Sequence, residues 1–190
     1  MEIDSISGVE VRGMRLTDIL PLYRLHMSLS QPDRRFYHPF AFSSCSVLLY
    51  LTVFYATSNL GRLARAIVPR MSFRAIVALD SAKSGYAGFA YLQVPKSRPA
   101  SGRFASLGIV VAAGYRGRNV SKALMQGLIS LARKLDIERI DLAVARDNTS
   151  AIGLYKQFGF ETVGSGLDMW AGEKLPYFTM RLTFGRVNKQ

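Results

Sequence analysis

The apolar positions change period along the chain. Val9, Val11 and Met14 alternate with polar neighbours, which predicts a first strand over 6–14. Thr17 or Asp18 can cap a helix running toward Leu29, with Leu20, Leu22, Leu25 and Met27 as its apolar positions. Pro21 sits near its start, where proline is tolerated. Residues 31–42 mix prolines, arginines and aromatics and read as a loop, and 44–65 reads as a helix. Three segments then carry strand composition: 73–80, 86–94 and 103–111. Their short links predict an antiparallel meander. After Val111 the period lengthens. Val120, Leu124, Leu128, Leu131 and Leu135 mark one face of a long helix, with Arg133 and Lys134 in its last turn. Ile140, Leu142 and Val144 alternate in a strand over 139–145. Ala151, Leu154, Tyr155 and Phe158 mark a short helix that Gly159 is placed to end in the left-handed conformation. Residues 160–163 and 177–184 complete the strands.

The order strand–helix–strand–helix–strand over 103–163 predicts a parallel crossover. Joined to the meander, it gives an α/β (α+β) fold: a mixed, mostly antiparallel central sheet of about six to seven strands with helices on both faces. The 190 residues suit a single domain, 1–190, with a helical or loop insertion at about 31–72.

Composition narrows the function. Hydrophobic residues make up 49% of the chain and charged residues 20%, so a packed core is within reach and wholesale disorder is excluded. One cysteine, Cys45, rules out an internal disulfide framework and a cysteine-rich zinc site. Two histidines, His26 and His38, leave little for a histidine metal cluster, and no metal is expected. The net charge of +12, mostly arginine, points to an anionic partner: nucleic acid, a membrane surface or a phosphorylated small molecule. The N-terminal residues lack the pattern of a signal peptide, and the most apolar run, 46–56, is shorter than the roughly 20 residues of a spanning helix. The default location is the cytoplasm.

The chemistry concentrates where a strand ends in the turn Val111-Ala-Ala-Gly-Tyr-Arg-Gly-Arg-Asn-Val-Ser-Lys122 and a long helix begins. A helix start offers unpaired N–H groups and the positive end of a dipole, which suits a pyrophosphate. Arg116, Arg118 and Lys122 add charge. Further on stand Asn148, Ala151, Leu154-Tyr155 and Gly159-Phe160.

Together these two segments resemble the two signatures of the GCN5-related N-acetyltransferase (GNAT) superfamily, over about 104–160. Arg116 fills the first place of the family's coenzyme A loop. Asn119 stands where glycine is expected and Ser121 where glycine or alanine is expected. Asparagine is the most tolerable substitute for that glycine, because it visits left-handed backbone. The second signature matches in full.

The resemblance implies acetyl-CoA as cosubstrate and an acetyl group moved to a primary amine by direct attack, through a tetrahedral intermediate. It implies that Ile109, Val110 and Val111 present backbone groups to the pantetheine arm, as a neighbouring strand would. Arg116, Gly117, Arg118, Asn119, Val120, Ser121 and Lys122 would hold the pyrophosphate. Asn148 would hydrogen-bond the pantetheine or the splayed strand, or cap the helix that follows. Tyr155 would be the general acid for the departing thiolate, against the plainer reading of a core aromatic. Many relatives carry a glutamate as base on the strand before the loop, but 103–111 holds no carboxylate. His38, Asp80 and Asp141 are the candidates, with His38 favoured by intrinsic pKa.

The aromatic, arginine-rich segment 31–74 suits an acceptor with a phosphate, such as a nucleotide-linked amino sugar; a protein or peptide N-terminus is the other candidate, and a small polyamine is less favoured, since a protein of this charge repels polycations. A homodimer is compatible with the sequence. The competing reading is a non-catalytic basic protein of the same fold, binding RNA or the ribosome through Arg34, Arg35, Arg62, Arg65, Arg70 and Arg74; nucleic acid is the less favoured partner. A third is a membrane-surface protein using 46–56.

Overall fold

In a computed structural model of the chain, residues 2–6, 8–36, 43–60, 71–82, 85–96, 102–170 and 173–185 are described. The strands are β1 (Glu2–Ile6), β2 (Val9–Gly13), β3 (Met71–Asp80), β4 (Gly85–Pro95), β5 (Phe104–Val111), β6 (Arg139–Ala145), β7 (Glu161–Trp170) and β8 (Glu173–Thr183). The helices are α1 (Ile19–Met27), α2 (Gln31–Phe36), α3 (Ser44–Asn59), α4 (Val120–Lys134) and α5 (Thr149–Gln157). The strands form one sheet in the order β1-β2-β3-β4-β5-β6-β8-β7, antiparallel throughout except for the β5–β6 pair. The mixed sheet with helices on both faces is therefore as the sequence predicts, with one strand more. The extra one is β1: the first strand was expected as a single run over 6–14, but it is a hairpin turning at Gly8, φ +78°.

Three further boundaries differ. Residues 31–36 are the helix α2 rather than loop. Ser30 Oγ accepts from the Asp33 N–H at 3.3 Å and donates to Asp33 Oδ2 at 2.6 Å, so a capping pair starts the helix despite Pro32. Residues 37–42 and 61–70, the rest of the expected insertion, lie outside the described residues. The helix after Ser43 is described as ending at Asn59, short of 65. The strand expected over 160–163 runs instead to Trp170, paired along its length with β8. Gly159 follows α5 with φ +84°, as its place in the pattern requires.

Two cores lie on the two faces of the sheet. The α4 face is aliphatic: Ile76, Leu92, Leu124, Met125, Leu128, Ile140 and Met180 are all buried there. The α1–α3 face is aromatic: Phe54, Phe73, Phe89 and Tyr91 pack with Met14, Leu22 and Leu51. Phe54 stacks on Tyr91 with centroids 4.7 Å apart and meets Phe73 edge-on at 4.7 Å, geometries that add to simple burial. The apolar run 46–56 is thus the body of α3 covering the sheet. Among the described residues no helix is long and apolar enough to cross a membrane.

Asp18 does not cap α1 with its side chain. It lies fully buried at the edge of the aromatic core and accepts from Arg12 Nη1 at 2.7 Å and Nη2 at 2.8 Å, from the Arg15 N–H at 2.6 Å and from the Tyr86 hydroxyl at 2.5 Å. A buried carboxylate needs such a set, because removing either charge alone leaves the other uncompensated.

Candidate active site between strands β5 and β6

β5 and β6 run side by side only at Phe104–Arg139 and Ala105–Ile140. Beyond those two pairs the strands part, while β5 stays hydrogen-bonded to β4 from Ser106 to Val111. Ile109, Val110 and Val111 therefore keep one backbone edge that no described strand covers. The opening widens toward the C-terminal end of β5, where the turn into α4 lies.

That turn leads directly into α4. Ala113–Tyr115 form a short 3-10 turn, Gly117 takes φ +74° and Asn119 takes φ +61°. The positive φ at Gly117 calls for glycine, and Asn119 tolerates its own for the reason the sequence suggested. The first helical bond of α4 runs from the Ala123 N–H to the Asn119 carbonyl at 3.0 Å, and the Asn119 side chain caps nothing. The first-turn N–H groups, Val120, Ser121 and Lys122 among them, are left for a ligand. Val120 itself is buried and anchors the helix, whereas Arg116, Arg118 and Lys122 are exposed. Arg118 lies over the Tyr115 ring at 5.6 Å. Arg116 is held by Asp33 of α2, Nη2 to Oδ1 at 2.7 Å, and with burial opposing, this contact and Ser30 keep the Asp33 carboxyl below its usual range. These residues fit a pyrophosphate and the amide-bearing arm behind it: open N–H groups, a helix dipole, exposed cations and a strand edge that no described strand covers.

Asn148 caps α5, its Oδ1 accepting from the Ala151 N–H at 3.2 Å. Tyr155, on α5, is half-buried against the aliphatic core, 5.6 Å from Phe160 between ring centroids. Its phenol has no hydrogen-bond partner among the described residues. Burial alone pushes its pKa up to about 12, so it is a proton donor at neutral pH.

The candidate bases fare differently. Asp141 accepts from Arg139 at 2.9 Å and Arg181 at 2.6 Å, contacts that outweigh burial and hold it ionised well below the usual range, so it is unsuited to accept a proton. Asp80 is turned to the end of β3, where Oδ1 accepts from the Ala82 N–H at 2.9 Å. His38 lies outside the described residues, as do Arg62, Arg65 and Arg70. The two described arginine side chains of the supposed RNA patch point inward. Arg34 donates to the Leu29 and Met27 carbonyls at 3.0 and 2.9 Å. Arg74 donates to the Thr57 and Phe73 carbonyls at 2.7 and 2.9 Å. Among the described residues no group of three His, Cys, Asp or Glu could hold a metal.

Two residues beside the opening carry no local sequence signal. Asp33 was hidden in a segment read as loop. Tyr91 was hidden because its partner, Gly108, lies on another strand.

Comparison with known proteins agrees with this geometry. Residues 49–160 match the family model described as Acetyltransferase (GNAT) family. An L-amino acid N-acetyltransferase of Escherichia coli (strain K12), AaaT, is 39% identical over 72 residues, 37% of this chain and 44% of that protein. The match thus spans less than half of that relative's length. The GNAT-family acetyltransferase structure from Streptococcus pneumoniae superposes with a TM-score of 0.70 at 18% identity, covering 93% of this chain and 99% of that one. The yncA structure from Salmonella typhimurium, solved with its cofactor acetyl-CoA, superposes with a TM-score of 0.71 at 14% identity, covering 97% and 98%. At those identities the structures speak for the fold, while the family model spans more than half of the chain. With more than half of its length matched by that family model and the fold shared with those structures, the chain belongs to the GNAT family of acetyltransferases.

Proposed function

We propose that this chain is an acetyl-CoA-dependent N-acetyltransferase acting on a primary amine. The observation that carries the reading is the parting of β5 from β6 beside the uncapped start of α4. The cosubstrate supplies the activated acyl group. Arg116, Gly117, Arg118, Asn119, Val120, Ser121 and Lys122 hold its pyrophosphate, and the free edge of Ile109, Val110 and Val111 pairs with its arm. A backbone N–H of β5 at the inner end of that edge faces the carbonyl oxygen as charge develops there. Tyr155 then protonates the departing sulfur, and its raised pKa keeps it loaded for that step. Asn148 fixes the start of α5 and so the height of Tyr155 in the opening.

The face of β5 toward α1 and α3 carries Ser106, Gly108 and Val110 and no carboxylate. The amine's proton leaves through water, or to His38 if that side chain reaches the opening. For the acceptor, the E. coli relative favours a free L-amino acid over the amino sugar or peptide that charge alone suggested. The inward-turned Arg34 and Arg74 weigh against an RNA-binding role.

The test is direct. Acetyl-CoA at 100 times its dissociation constant should stabilise the fold by about 2.7 kcal/mol. A thiol-release assay over free L-amino acids and peptides should then find the acceptor. Tyr155→Phe should lower kcat by about 100-fold or more while cofactor binding holds. No thermal response to acetyl-CoA would refute the reading, and unchanged turnover in Tyr155→Phe would refute the acid.

A further inference from the structure

Tyr91 is a buried tyrosine with an unusual address. It sits in the middle of β4, directly opposite Gly108 of β5. A Cβ built on Gly108 would fall 2.5 Å from Tyr91 Cε1 and 2.7 Å from both its Cζ and its hydroxyl oxygen. The ring therefore crosses β5 over the one residue that has no side chain, and its hydroxyl end lies on the strand that borders the opening. Gly108 is three residues past Ala105, the last position of β5 paired to β6. No described strand stands beyond it.

The ring is fixed from behind. It stacks on Phe54 at 4.7 Å and meets Phe73 edge-on at 5.9 Å. The residue is only 6% exposed, yet its hydroxyl has no hydrogen-bond partner among the described residues. Leaving such a group unsatisfied costs free energy. An aromatic core gains nothing from that hydroxyl that phenylalanine would not supply. The phenol is also held firmly neutral: burial raises its pKa first, and Tyr155 and Tyr50 raise it further. Tyr91 and Tyr155 belong to cores on opposite faces of the sheet.

The pyrophosphate cradle fixes the direction of the cosubstrate. With phosphates at 116–122 and the arm along 111–109, the thioester end arrives next to Gly108. We infer that Tyr91 is a catalytic residue: its hydroxyl donates a hydrogen bond to the acetyl carbonyl oxygen, from the face opposite Tyr155. This rests on the acetyltransferase reading above. As the amine nitrogen bonds to the carbonyl carbon, the C=O pair moves onto oxygen, where Tyr91 O–H and the strand N–H hold it. The pair then returns and the C–S bond breaks. The sulfur takes the Tyr155 proton, and the amine's proton goes to water. Tyr91 keeps its own proton throughout, which suits a phenol that does not ionise near neutrality.

The decisive variant is Tyr91→Phe, which keeps the ring and its stacking and removes only the oxygen. Three readouts apply. In steady-state kinetics kcat should fall by about 100-fold, the scale of one lost oxyanion donor, with KM for both substrates within about twofold. In isotope-edited infrared spectra of bound acetyl-CoA, the thioester carbonyl band should shift to higher frequency in the variant. In thermal melts the variant should match or exceed the wild type, since a partnerless hydroxyl is gone. An unchanged kcat or an unmoved carbonyl band overturns the inference. So does a rise confined to the acceptor's KM, which would make Tyr91 a seat for the amine. If the wild-type protein itself shows no response to acetyl-CoA, the acetyltransferase reading falls first and takes this one with it. A wild type that turns over beside an equally active Tyr91→Phe removes only the inference.

Discussion

The two faces of the sheet are made of different materials. The α4 face is aliphatic and dry, and its polar chemistry is confined to the rim, in the turn at 116–119 and the cap at Asn148. The α1–α3 face stacks four aromatic rings and carries its polar groups inside: Asp18 with Arg12 and Tyr86 at one edge, and His26 fully buried against Phe89. The lesson is a division of labour. On the α4 face the exposed backbone and cations of the turn lie outside the packed core. The α1–α3 face instead fixes buried polar groups by paired hydrogen bonds inside its core.

Substitutions separate the two. The largest effect should come from Asp18→Ala, which strands the buried Arg12 guanidinium and costs about 3–5 kcal/mol in denaturant unfolding. Acetyl-CoA affinity of the folded fraction should stay within about twofold, whereas a large loss of affinity would mean that the faces are not separable. Next is His26. Its pKa is pushed down to about 4 by burial, against an ordinary 6.5, with the bond to the Leu22 carbonyl at 2.7 Å opposing. A depressed pKa means that the unfolded chain binds the proton more readily. The stability is thus complete above about pH 6.5 and drains away as pH falls toward 4, by about 3 kcal/mol over that window. Asp18, also depressed, extends the acid loss below its unfolded value. His26→Gln should flatten the slope between pH 6.5 and 4, and an unaltered slope would assign the loss to other groups.

The smallest effect bears on the Asp33–Arg116 ion pair, which ties α2 to the turn before α4. Asp33→Asn releases Arg116 from α2. An exposed pair of this kind contributes at most about 1 kcal/mol to stability. Freed from its carboxylate, Arg116 should instead tighten acetyl-CoA binding several-fold in calorimetry, more so at low salt. Weaker binding would mean that Asp33 orients the arginine for the phosphate rather than competing for it.

What the sequence disclosed follows the same division. α4 and its turn were legible because a long amphipathic period and a glycine-arginine junction are local signals, and the left-handed Asn119 follows from its residue type. Asn148, Tyr155 and Gly159 were legible as spaced positions on one short helix. The α1–α3 face was not. Asp18 looked like a helix cap because its true partners are Arg12 on β2 and Tyr86 on β4. α2 looked like a loop because Pro32 and two arginines masked the Ser30–Asp33 capping pair. Tyr91 and Gly108 carry their message only when two strands are set in register. Contacts between distant strands leave no periodicity to read.

The short β5–β6 seam has a mechanical corollary. Paired only at Phe104–Arg139 and Ala105–Ile140, with the Glu138 N–H to Arg103 carbonyl bond at 2.8 Å beside them, β1–β5 and β6–β8–β7 are nearly two half-sheets joined at one corner. On the proposed function, a thioester donor lying in that wedge would replace the missing rungs and serve as a keystone. Amide protons along β6 should exchange more slowly once it is in place, and the unloaded molecule should breathe along that line before it breathes anywhere else in the sheet.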